Sequence, residues 1–333
     1  MGVFIIAEAG VNHNGKLDLA IALCDAAKSA GADAVKFQTF KTENILTKTA
    51  AMAEYQEKNI GGSESQFAMV KALELGFADF ETLQRHCQSI GILFLSTPDD
   101  WESLDFLTDG LKLPMIKIGS GEVTNIPYLR AIGGKHLPVV LSTGMATLGE
   151  VERAIKELRD SGSGEISLLH CTTNYPCQMG EVNLNAMKTL RQAFRLTTGY
   201  SDHTLGIEIP IAAAAMGAEI IEKHFTLDRS MEGPDHSASL EPSELAAMVR
   251  AIRNIELALG DGIKRPNRSE EKIKPSVRRS IVAAKPIKKG EILGLGNLLV
   301  KRAGGKGIPS ELWDLAVGGR AHRNYEADEA IEW

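Results

Sequence analysis

The chain has 333 residues, of which 44% are hydrophobic and 24% are charged, and its formal net charge is −6. This length favours about two domains, and the net negative charge argues against a dedicated nucleic-acid-binding protein. The four cysteines contain no C-x-x-C pair, the apolar run interrupted at Glu8 is too short for a signal peptide, and no hydrophobic run is long enough to span a membrane. We therefore expect a cytoplasmic protein without disulfides or membrane spans.

Short apolar runs alternate with longer amphipathic stretches over most of the chain. The runs predicted as strands are residues 3–8, 34–38, 92–96, 115–118, 139–142, 166–170, 196–200 and 220–225. Strict alternation of strand and helix is typical of a parallel sheet, and eight such units in about 260 residues have the size of a (β/α)8 barrel. We therefore expect an α/β fold with a TIM barrel over residues 1–262.

A short pattern occurs twice, at residues 30–35 and 216–221, and in both copies a glycine precedes a strand. Polar pairs follow at the same spacing, Lys36 with Gln38 and Glu222 with His224. Side chains two positions apart on a strand share a face. Each copy therefore aims two polar groups in the same direction at the end of its strand.

The rest of the chain divides into a polar linker, residues 263–279, and a small β-rich domain, residues 280–333. Positive charge is concentrated between residues 264 and 306, where there is no aromatic residue. That segment is either a solvated basic linker or a basic arm near an anionic site, and charge alone leaves both interpretations open.

Every predicted strand ends in polar or charged residues, and catalytic residues of (β/α)8 barrels lie at these ends. Lys36 and Lys117 are point charges suited to a phosphate group. The hydroxyl side chains nearby are those of Thr97, Ser120, Ser142 and Ser201. Any one of these residues could serve an ordinary turn, but eight polar strand ends that converge on one mouth indicate an active site for a phosphorylated anion.

Two histidines and two acids complete the candidate site. His203 and His224 end adjacent strands with no cysteine close by, which suits a divalent metal that keeps positions open for water. The alternative is a pair of hydrogen-bonded core histidines. Glu8 and Asp235 could hold sugar hydroxyls or move protons.

Nine segments distributed along the barrel resemble one known family, the bacterial sialic acid synthases, which make nonulosonic acids such as N-acetylneuraminate. The matching segments are IIAEAGVNHNG (5–15), VKFQT (35–39), LSTP (95–98), IKIGSGE (116–122), LSTGM (141–145), LHCT (169–172), GYSDHT (199–204), EKHFT (222–226) and GPD (233–235). Residues 279–302 resemble the antifreeze-like SAF domain that follows the barrel in this family. The resemblance covers essentially the whole chain, in order.

The resemblance implies a transferase that condenses phosphoenolpyruvate with an N-acyl-mannosamine-type sugar and water to a nine-carbon 2-keto acid, with release of phosphate. It also implies a divalent metal, Mn²⁺ first and Mg²⁺ or Co²⁺ as alternatives, which polarises the aldehyde oxygen. The implied homodimer is domain-swapped. In it Arg302 reaches the neighbouring site and binds the acyl group of the sugar.

The resemblance further implies a role for each matching residue. His203 and His224 would bind the metal, and with Glu8 and Lys117 they would form the catalytic set. The residues implied to bind phosphoenolpyruvate are Lys36, Thr97, Lys117, Ser120, Ser142 and Ser201. Those implied to contact the sugar are Glu8, Gln38, Thr173, Tyr175, Asp235 and Arg302.

The main expectation for function is an N-acetylneuraminate synthase that uses N-acetylmannosamine. The alternatives are an N,N'-diacetyllegionaminate synthase that uses 2,4-diacetamido-2,4,6-trideoxymannose, a pseudaminate synthase, a condensation with a sugar phosphate, and a non-catalytic carbohydrate-binding or antifreeze-like protein. Three departures from the family pattern bear on the choice of sugar. Asp99 and Asp100 stand where many relatives carry an aromatic residue, Thr173 stands where some carry Asn, and no Pro follows Arg302.

Overall fold

The structure is a computed structural model in which residues 2–50 and 65–333 are described. The chain divides into two compact units, Met1–Gly260 and Asp261–Trp333. Among the described residues, no helix combines the length and the apolar character that crossing a membrane requires.

The first unit contains eight parallel strands, as the sequence predicts. They are β1 (Phe4–Gly10), β2 (Ala34–Thr39), β3 (Leu93–Pro98), β4 (Ile116–Ile118), β5 (Val139–Ser142), β6 (Ile166–His170), β7 (Thr197–Asp202) and β8 (Ile220–His224). The hydrogen-bonded order is β3-β2-β1-β8-β7-β6-β5-β4. The two end strands, β3 and β4, pack against each other and complete the ring. The expected TIM-barrel fold is confirmed.

Helices follow the strands on the outside of the ring. Those described in this unit are α1 (Leu17–Ala30), α2 (Thr42–Ile45), α3 (Gln66–Leu73), α4 (Phe77–Ile90), α5 (Trp101–Asp105), α6 (Ile126–Gly133), α7 (Leu148–Asp160), α8 (Asn185–Phe194), α9 (Glu208–Ala215) and α10 (Pro242–Leu259). A π-helical turn, Phe106–Gly110, follows α5, and 3₁₀ turns occur at Ser120–Glu122, Met179–Glu181 and His236–Ala238.

Local sequence explains why these helices begin and end where they do. Helix α7 begins with a capping box, in which Thr147 Oγ1 accepts a hydrogen bond from the Glu150 backbone and the Glu150 carboxylate accepts one from the Thr147 backbone. Helix α1 is capped at its carboxyl end by Gly31, whose φ of 83° is a left-handed conformation that glycine adopts without strain. Both helices bury one apolar face against the sheet.

The inside of the barrel is closed by side chains rather than open as a pore. What we call the apolar layer is formed by one residue from each strand, except that Met115 stands directly before β4: Ile6, Ala34, Leu95, Met115, Val140, Leu169, Gly199 and Ile220. Gly199 is required there, because a Cβ at this position would lie 2.2 Å from the Ile220 carbonyl oxygen and 2.8 Å from Leu169 Cδ2. The apolar layer supports everything that lies nearer the carboxyl ends of the strands.

The second unit has its own core and a small antiparallel sheet. Its described elements are α11 (Arg268–Val277), β9 (Ser280–Ala283), β10 (Leu298–Lys301), a 3₁₀ turn (Ser310–Leu312) and α12 (Trp313–Ala316). The core residues include Ile281, Ile287, Leu298 and Tyr325. The expected small β-rich domain is therefore present, and helix α11 lies within the segment 263–279 predicted as a polar linker.

Candidate active site

The residues beyond the apolar layer point into the carboxyl end of the barrel in two further layers. Two positions on from the apolar layer, the lower polar layer consists of Glu8, Lys36, Thr97, Lys117, Ser142, Cys171, Ser201 and Glu222. Two positions further, the upper polar layer consists of Gly10, Gln38, Asp99, Gly119, Gly144, Thr173, His203 and His224. The two-residue step keeps each set on the inner face, because successive side chains of a strand alternate. All of the lower polar layer and most of the upper polar layer line a cavity of about 190 Å³.

Lys36 lies at the centre of a buried charge network in the lower polar layer. Its Nζ lies 2.7 Å from Glu8 Oε2 and 3.8 Å from Glu222 Oε2, and it donates a hydrogen bond of 2.8 Å to Thr97 Oγ1. The side chain is only 3% exposed. Strand β2 therefore presents a cation that neighbours on β1, β3 and β8 hold in one place.

Lys117 lies on the other side of Glu222. Its Nζ donates hydrogen bonds to Ser142 Oγ at 2.8 Å and to the Ile118 carbonyl oxygen at 3.1 Å, and it lies 3.5 Å from Glu222 Oε1. The same Glu222 oxygen accepts a hydrogen bond of 2.9 Å from Ser201 Oγ. Glu222 thus holds the two lysines on either side of the cavity floor.

The protonation of this network follows from burial and from the charges around it. Burial would raise the pKa of Glu222, but Lys117 and Lys36 together lower it to about 2. Burial raises the pKa of Glu8 to about 7, because Lys36 offsets only part of that effect. Burial lowers the pKa of Lys117, whereas Glu222 and Glu8 hold the pKa of Lys36 above its usual value. The two lysines therefore face one firmly ionised carboxylate and one that exchanges its proton near neutral pH, which suits an incoming anion.

Two histidines and a tyrosine lie together in and above the upper polar layer. The ring centroids of His203 and His224 are 5.3 Å apart, and the Tyr175 ring lies 4.1 Å from the first and 5.4 Å from the second. His203 Nδ1 donates a hydrogen bond of 2.6 Å to the Thr172 carbonyl oxygen, so its lone pair is on Nε2. Burial lowers the pKa of both histidines, which favours the neutral form that binds metals.

The histidine pair fits a divalent metal ion with open coordination positions. His224 Nδ1 is buried and has no hydrogen-bond partner, so it needs a ligand or water. No group of three or more His, Cys, Asp or Glu side chains among residues 2–50 and 65–333 has a metal-binding arrangement. A structural zinc ion would need such a set, whereas a catalytic ion can take its remaining ligands from water and substrate.

The structure brings most of the predicted site residues into this one cavity. Those that line it are Glu8, Lys36, Gln38, Thr97, Lys117, Ser120, Ser142, Thr173, Tyr175, Ser201, His203 and His224. Asp235 does not line the cavity: it is buried in the loop that follows β8, and burial raises its pKa to about 6. Arg302 lies in the second unit, where its side chain is exposed just after β10.

Three lining residues with ionisable side chains are not identified as site residues by the sequence analysis. The sequence places Glu222 on the same face as His224 and indicates no role for it, although in the structure it joins the two lysines. Asp99 and Cys171 also line the cavity. The two-residue spacing from Thr97 to Asp99, and from Leu169 to Cys171, is the sequence feature that could have identified both.

Gly144 keeps the wall of the cavity tightly packed. A Cβ at this position would lie 2.3 Å from Thr173 Oγ1, 2.8 Å from Ser120 Oγ and 3.0 Å from Cys171 Sγ. The Gly144 backbone N–H also donates a hydrogen bond of 3.0 Å to Ser120 Oγ. The glycine therefore lets two side chains from the segment after β6 and one from the turn after β4 meet the backbone that follows β5.

Comparison with known proteins identifies both units of the chain. Residues 23–264 match the NeuB family, and residues 278–333 match the SAF domain. The N,N'-diacetyllegionaminic acid synthase of Campylobacter jejuni is 51% identical over 329 residues, which are 98% of this chain and 98% of that protein. The protein of the same name from Legionella pneumophila is 48% identical over 337 residues, which are 100% of this chain and 94% of its own length.

A solved structure agrees in fold. The N-acetylneuraminic acid synthetase of Leptospira borgpetersenii, in complex with citrate, superposes with a TM-score of 0.72 and is 39% identical. The match covers 82% of this chain and 90% of that protein. The two legionaminic acid synthases are more similar in sequence to this chain than this synthetase is.

Proposed function

Because the chain belongs to the NeuB family and carries a SAF domain, we propose that it condenses phosphoenolpyruvate with 2,4-diacetamido-2,4,6-trideoxymannose to form N,N'-diacetyllegionaminate. It is a nonulosonic acid synthase, a transferase of the class that uses phosphoenolpyruvate and a sugar. The identities of 51% and 48% to two legionaminic acid synthases support this acceptor. These identities favour the diacetamido sugar over N-acetylmannosamine, the acceptor expected first from the sequence. The proposed product is therefore N,N'-diacetyllegionaminate instead of N-acetylneuraminate.

The observation that carries the proposal is the pair of buried lysines in the lower polar layer. Lys36 and Lys117 are joined by Glu222 and surrounded by the hydroxyl groups of Thr97, Ser142 and Ser201. Two cations and several hydrogen-bond donors at the closed end of the barrel fit both the phosphate and the carboxylate of phosphoenolpyruvate. The apolar layer beneath them sets how deep the anion can enter.

The reaction then needs two new bonds and one broken bond. The enol carbon of phosphoenolpyruvate attacks the aldehyde carbon, water adds to the cationic carbon left behind, and the carbon–oxygen bond to phosphate breaks. The attacking water loses both of its protons as its oxygen becomes the carbonyl oxygen of the 2-keto acid: one proton goes to the aldehyde oxygen and the other to the departing phosphate. With a pKa of about 7, the Glu8 carboxyl group can hold or release a proton at the floor of the site, which is the property required of a general acid or base.

We propose that His203 and His224 hold a divalent ion, with Mn²⁺ preferred and Mg²⁺ or Co²⁺ as alternatives. Such an ion supplies Lewis-acid polarisation of the aldehyde oxygen. Both histidines are neutral, and His224 Nδ1 is buried without a partner, which supports the assignment. Tyr175 packs on the first ring and fixes its orientation.

We also propose that the SAF domain acts as a lid in a domain-swapped homodimer, with Arg302 contacting the acyl group of the sugar. Mixing two inactive variants tests this arrangement. If Arg302 acts in the neighbouring site, Arg302→Ala and His203→Ala subunits should together form one intact site per mixed dimer. The mixture should then regain activity that neither variant has, and no regain after exchange of subunits would contradict the swap.

Phosphate release tests the proposed function directly. The protein is mixed with Mn²⁺, phosphoenolpyruvate and, in separate reactions, 2,4-diacetamido-2,4,6-trideoxymannose or N-acetylmannosamine. We expect release with both sugars or with the first alone, and a kcat/KM at least about tenfold higher for the first, the ratio that corresponds to about 1.4 kcal/mol. Release of no phosphate with any unphosphorylated amino sugar would sink the proposal.

A further inference from the structure

Asp99 occupies a position in the upper polar layer that neither the fold nor the proposed chemistry explains. On β3 the side chains alternate, so that Thr97 points into the barrel, Pro98 points outward and Asp99 points inward again. The Asp99 backbone N–H donates a hydrogen bond of 3.0 Å to the Thr39 carbonyl oxygen, which continues the ladder with β2. The Asp99 side chain therefore lines the cavity above Thr97, as Gln38 does above Lys36.

The neighbouring Asp100 shows what a structural aspartate does at this point of the chain. Its carboxylate caps α5 by accepting a hydrogen bond of 2.9 Å from Ser103 N, and it also accepts one of 2.7 Å from Lys41 N. In the described part of the chain, by contrast, the half-buried Asp99 carboxylate has no hydrogen bond and no ion pair. Burial raises the pKa of Asp99 to about 7, which reflects the cost of keeping an unpartnered carboxylate there.

The order of the strands determines which part of a bound sugar Asp99 can meet. In a ring of eight strands, β3 lies four strands from β7, so Asp99 faces His203 across the cavity. The lower polar layer is taken up by the anion under the proposed function, and the histidines lie beside the aldehyde. Asp99 is thus placed at the end of the acceptor that is remote from the reacting carbon.

The charges around the upper polar layer also restrict the acceptor. Both lysines that line the cavity belong to the lower polar layer, where Glu222 lies between them. Among the described barrel residues, the upper polar layer contains neutral histidines, an amide, the Thr173 hydroxyl and Asp99, with no cationic side chain. The proposed metal ion would lie at the histidines, so a phosphate group at the remote end of the acceptor would find no side-chain countercharge there and would approach the Asp99 carboxylate.

We propose that Asp99 determines acceptor specificity, by accepting a hydrogen bond from an N–H or O–H group of the sugar and by repelling an acceptor that carries a phosphate. The inference rests on the proposed function, since it assumes that a sugar occupies the upper polar layer. It narrows the substrate class to uncharged acceptors, of which a diacetamido sugar offers an amide N–H at the remote end.

Calorimetric titration of the acceptor in Mn²⁺ buffer tests the inference without turnover, so its result is independent of whether condensation occurs. For Asp99→Asn we expect the Kd of 2,4-diacetamido-2,4,6-trideoxymannose to rise at least about tenfold, the range for a hydrogen bond to a charged group. The Kd of phosphoenolpyruvate should change less than about twofold by the same scale. The ratio of the Kd of N-acetylmannosamine 6-phosphate to the Kd of the diacetamido sugar should fall about tenfold, because the carboxylate charge that repels the phosphate group is removed.

Asp100→Asn is the matched control, because it makes the same chemical change one residue away. Asparagine still caps a helix but cannot also accept the bond from Lys41 N, so that variant should lose some thermal stability and still bind both ligands like the parent protein. Asp99→Ala, with thermal unfolding measured in parallel, separates loss of the carboxylate from loss of the fold. An unchanged acceptor Kd in Asp99→Asn, an equal change in the phosphoenolpyruvate Kd, or no acceptor binding by the parent protein would each overturn the inference.

Discussion

Replacing Lys223 by Met should strongly destabilise the barrel, because Lys223 forms a completely buried ion pair. Lys223 Nζ lies 2.6 Å from Asp202 Oδ2, both side chains are 0% exposed, and Nζ also donates to the Thr204 carbonyl oxygen. Without the lysine, the Asp202 carboxylate keeps only the bonds from Thr204 N and Oγ1, at 3.2 and 2.9 Å. Breaking such a pair from one side costs about 3–5 kcal/mol, since a buried charge is left uncompensated.

Urea denaturation of the ligand-free protein measures this cost. With a slope of about 1–3 kcal/mol per M, a loss of 3–5 kcal/mol lowers the urea midpoint by about 1 M or more. The control is the double variant Asp202→Asn/Lys223→Met, which removes both charges and should recover part of the loss. The reasoning would be refuted by a loss below about 1 kcal/mol in Lys223→Met, or by a double variant no more stable than the single one.

Three further predictions concern the histidine pair, the cavity wall and the loop after β8. His203→Ala or His224→Ala should abolish metal-dependent turnover. Each should also weaken Mn²⁺ binding, measured by electron paramagnetic resonance, by more than the about 10–100-fold that follows loss of a residue that only supports a ligand. A near-normal Mn²⁺ affinity would show that these histidines are not ligands. Gly144→Ala should lower the free energy of unfolding by about 1–3 kcal/mol, measured by thermal unfolding, and should lower kcat/KM, because its Cβ would lie 2.3 Å from Thr173 Oγ1. An unaffected variant would show that the side chains of the cavity wall can move aside. Asp235→Asn should stabilise the protein at pH 8 by on the order of 2–3 kcal/mol and far less at pH 4. Burial raises the pKa of Asp235 from 3.8 to about 6, so in the parent protein the free energy of unfolding falls as the pH rises between these values, and asparagine removes that loss. A gain in stability that is independent of pH would exclude this cause.

The strands could be predicted because their signal is local. Each is a short apolar run bounded by polar residues, and β5 (Val139–Ser142) and β6 (Ile166–His170) occur at the predicted bounds. β1 and β7 begin one residue later than predicted and end two residues later, because the ladder with neighbouring strands continues beyond the apolar run. Most candidate site residues were found for the same reason, since they stand at strand ends.

The partners of these residues could not be predicted, because they depend on register between strands. Asp202 and Lys223 are directly paired across β7 and β8, and that pairing accounts for a lysine whose side chain is completely buried. Glu222 gained its role in the same way, through lysines on two other strands. Asp235 shows a further limit: the conformation of the loop after β8 buries its side chain, and turn-rich sequence alone does not specify that conformation.

The three stacked layers separate the residues at the floor of the cavity from those that can vary between related enzymes. Under the proposed function, the lower polar layer binds the anion. It rests on the apolar layer, where Gly199 is tightly packed, whereas the upper polar layer lies one two-residue step above it. Three of its eight positions, Gly10, Gly119 and Gly144, carry no side chain. Mutation and selection can therefore change the upper polar layer, and with it the sugar accepted, while the inherited chemistry at the floor stays the same.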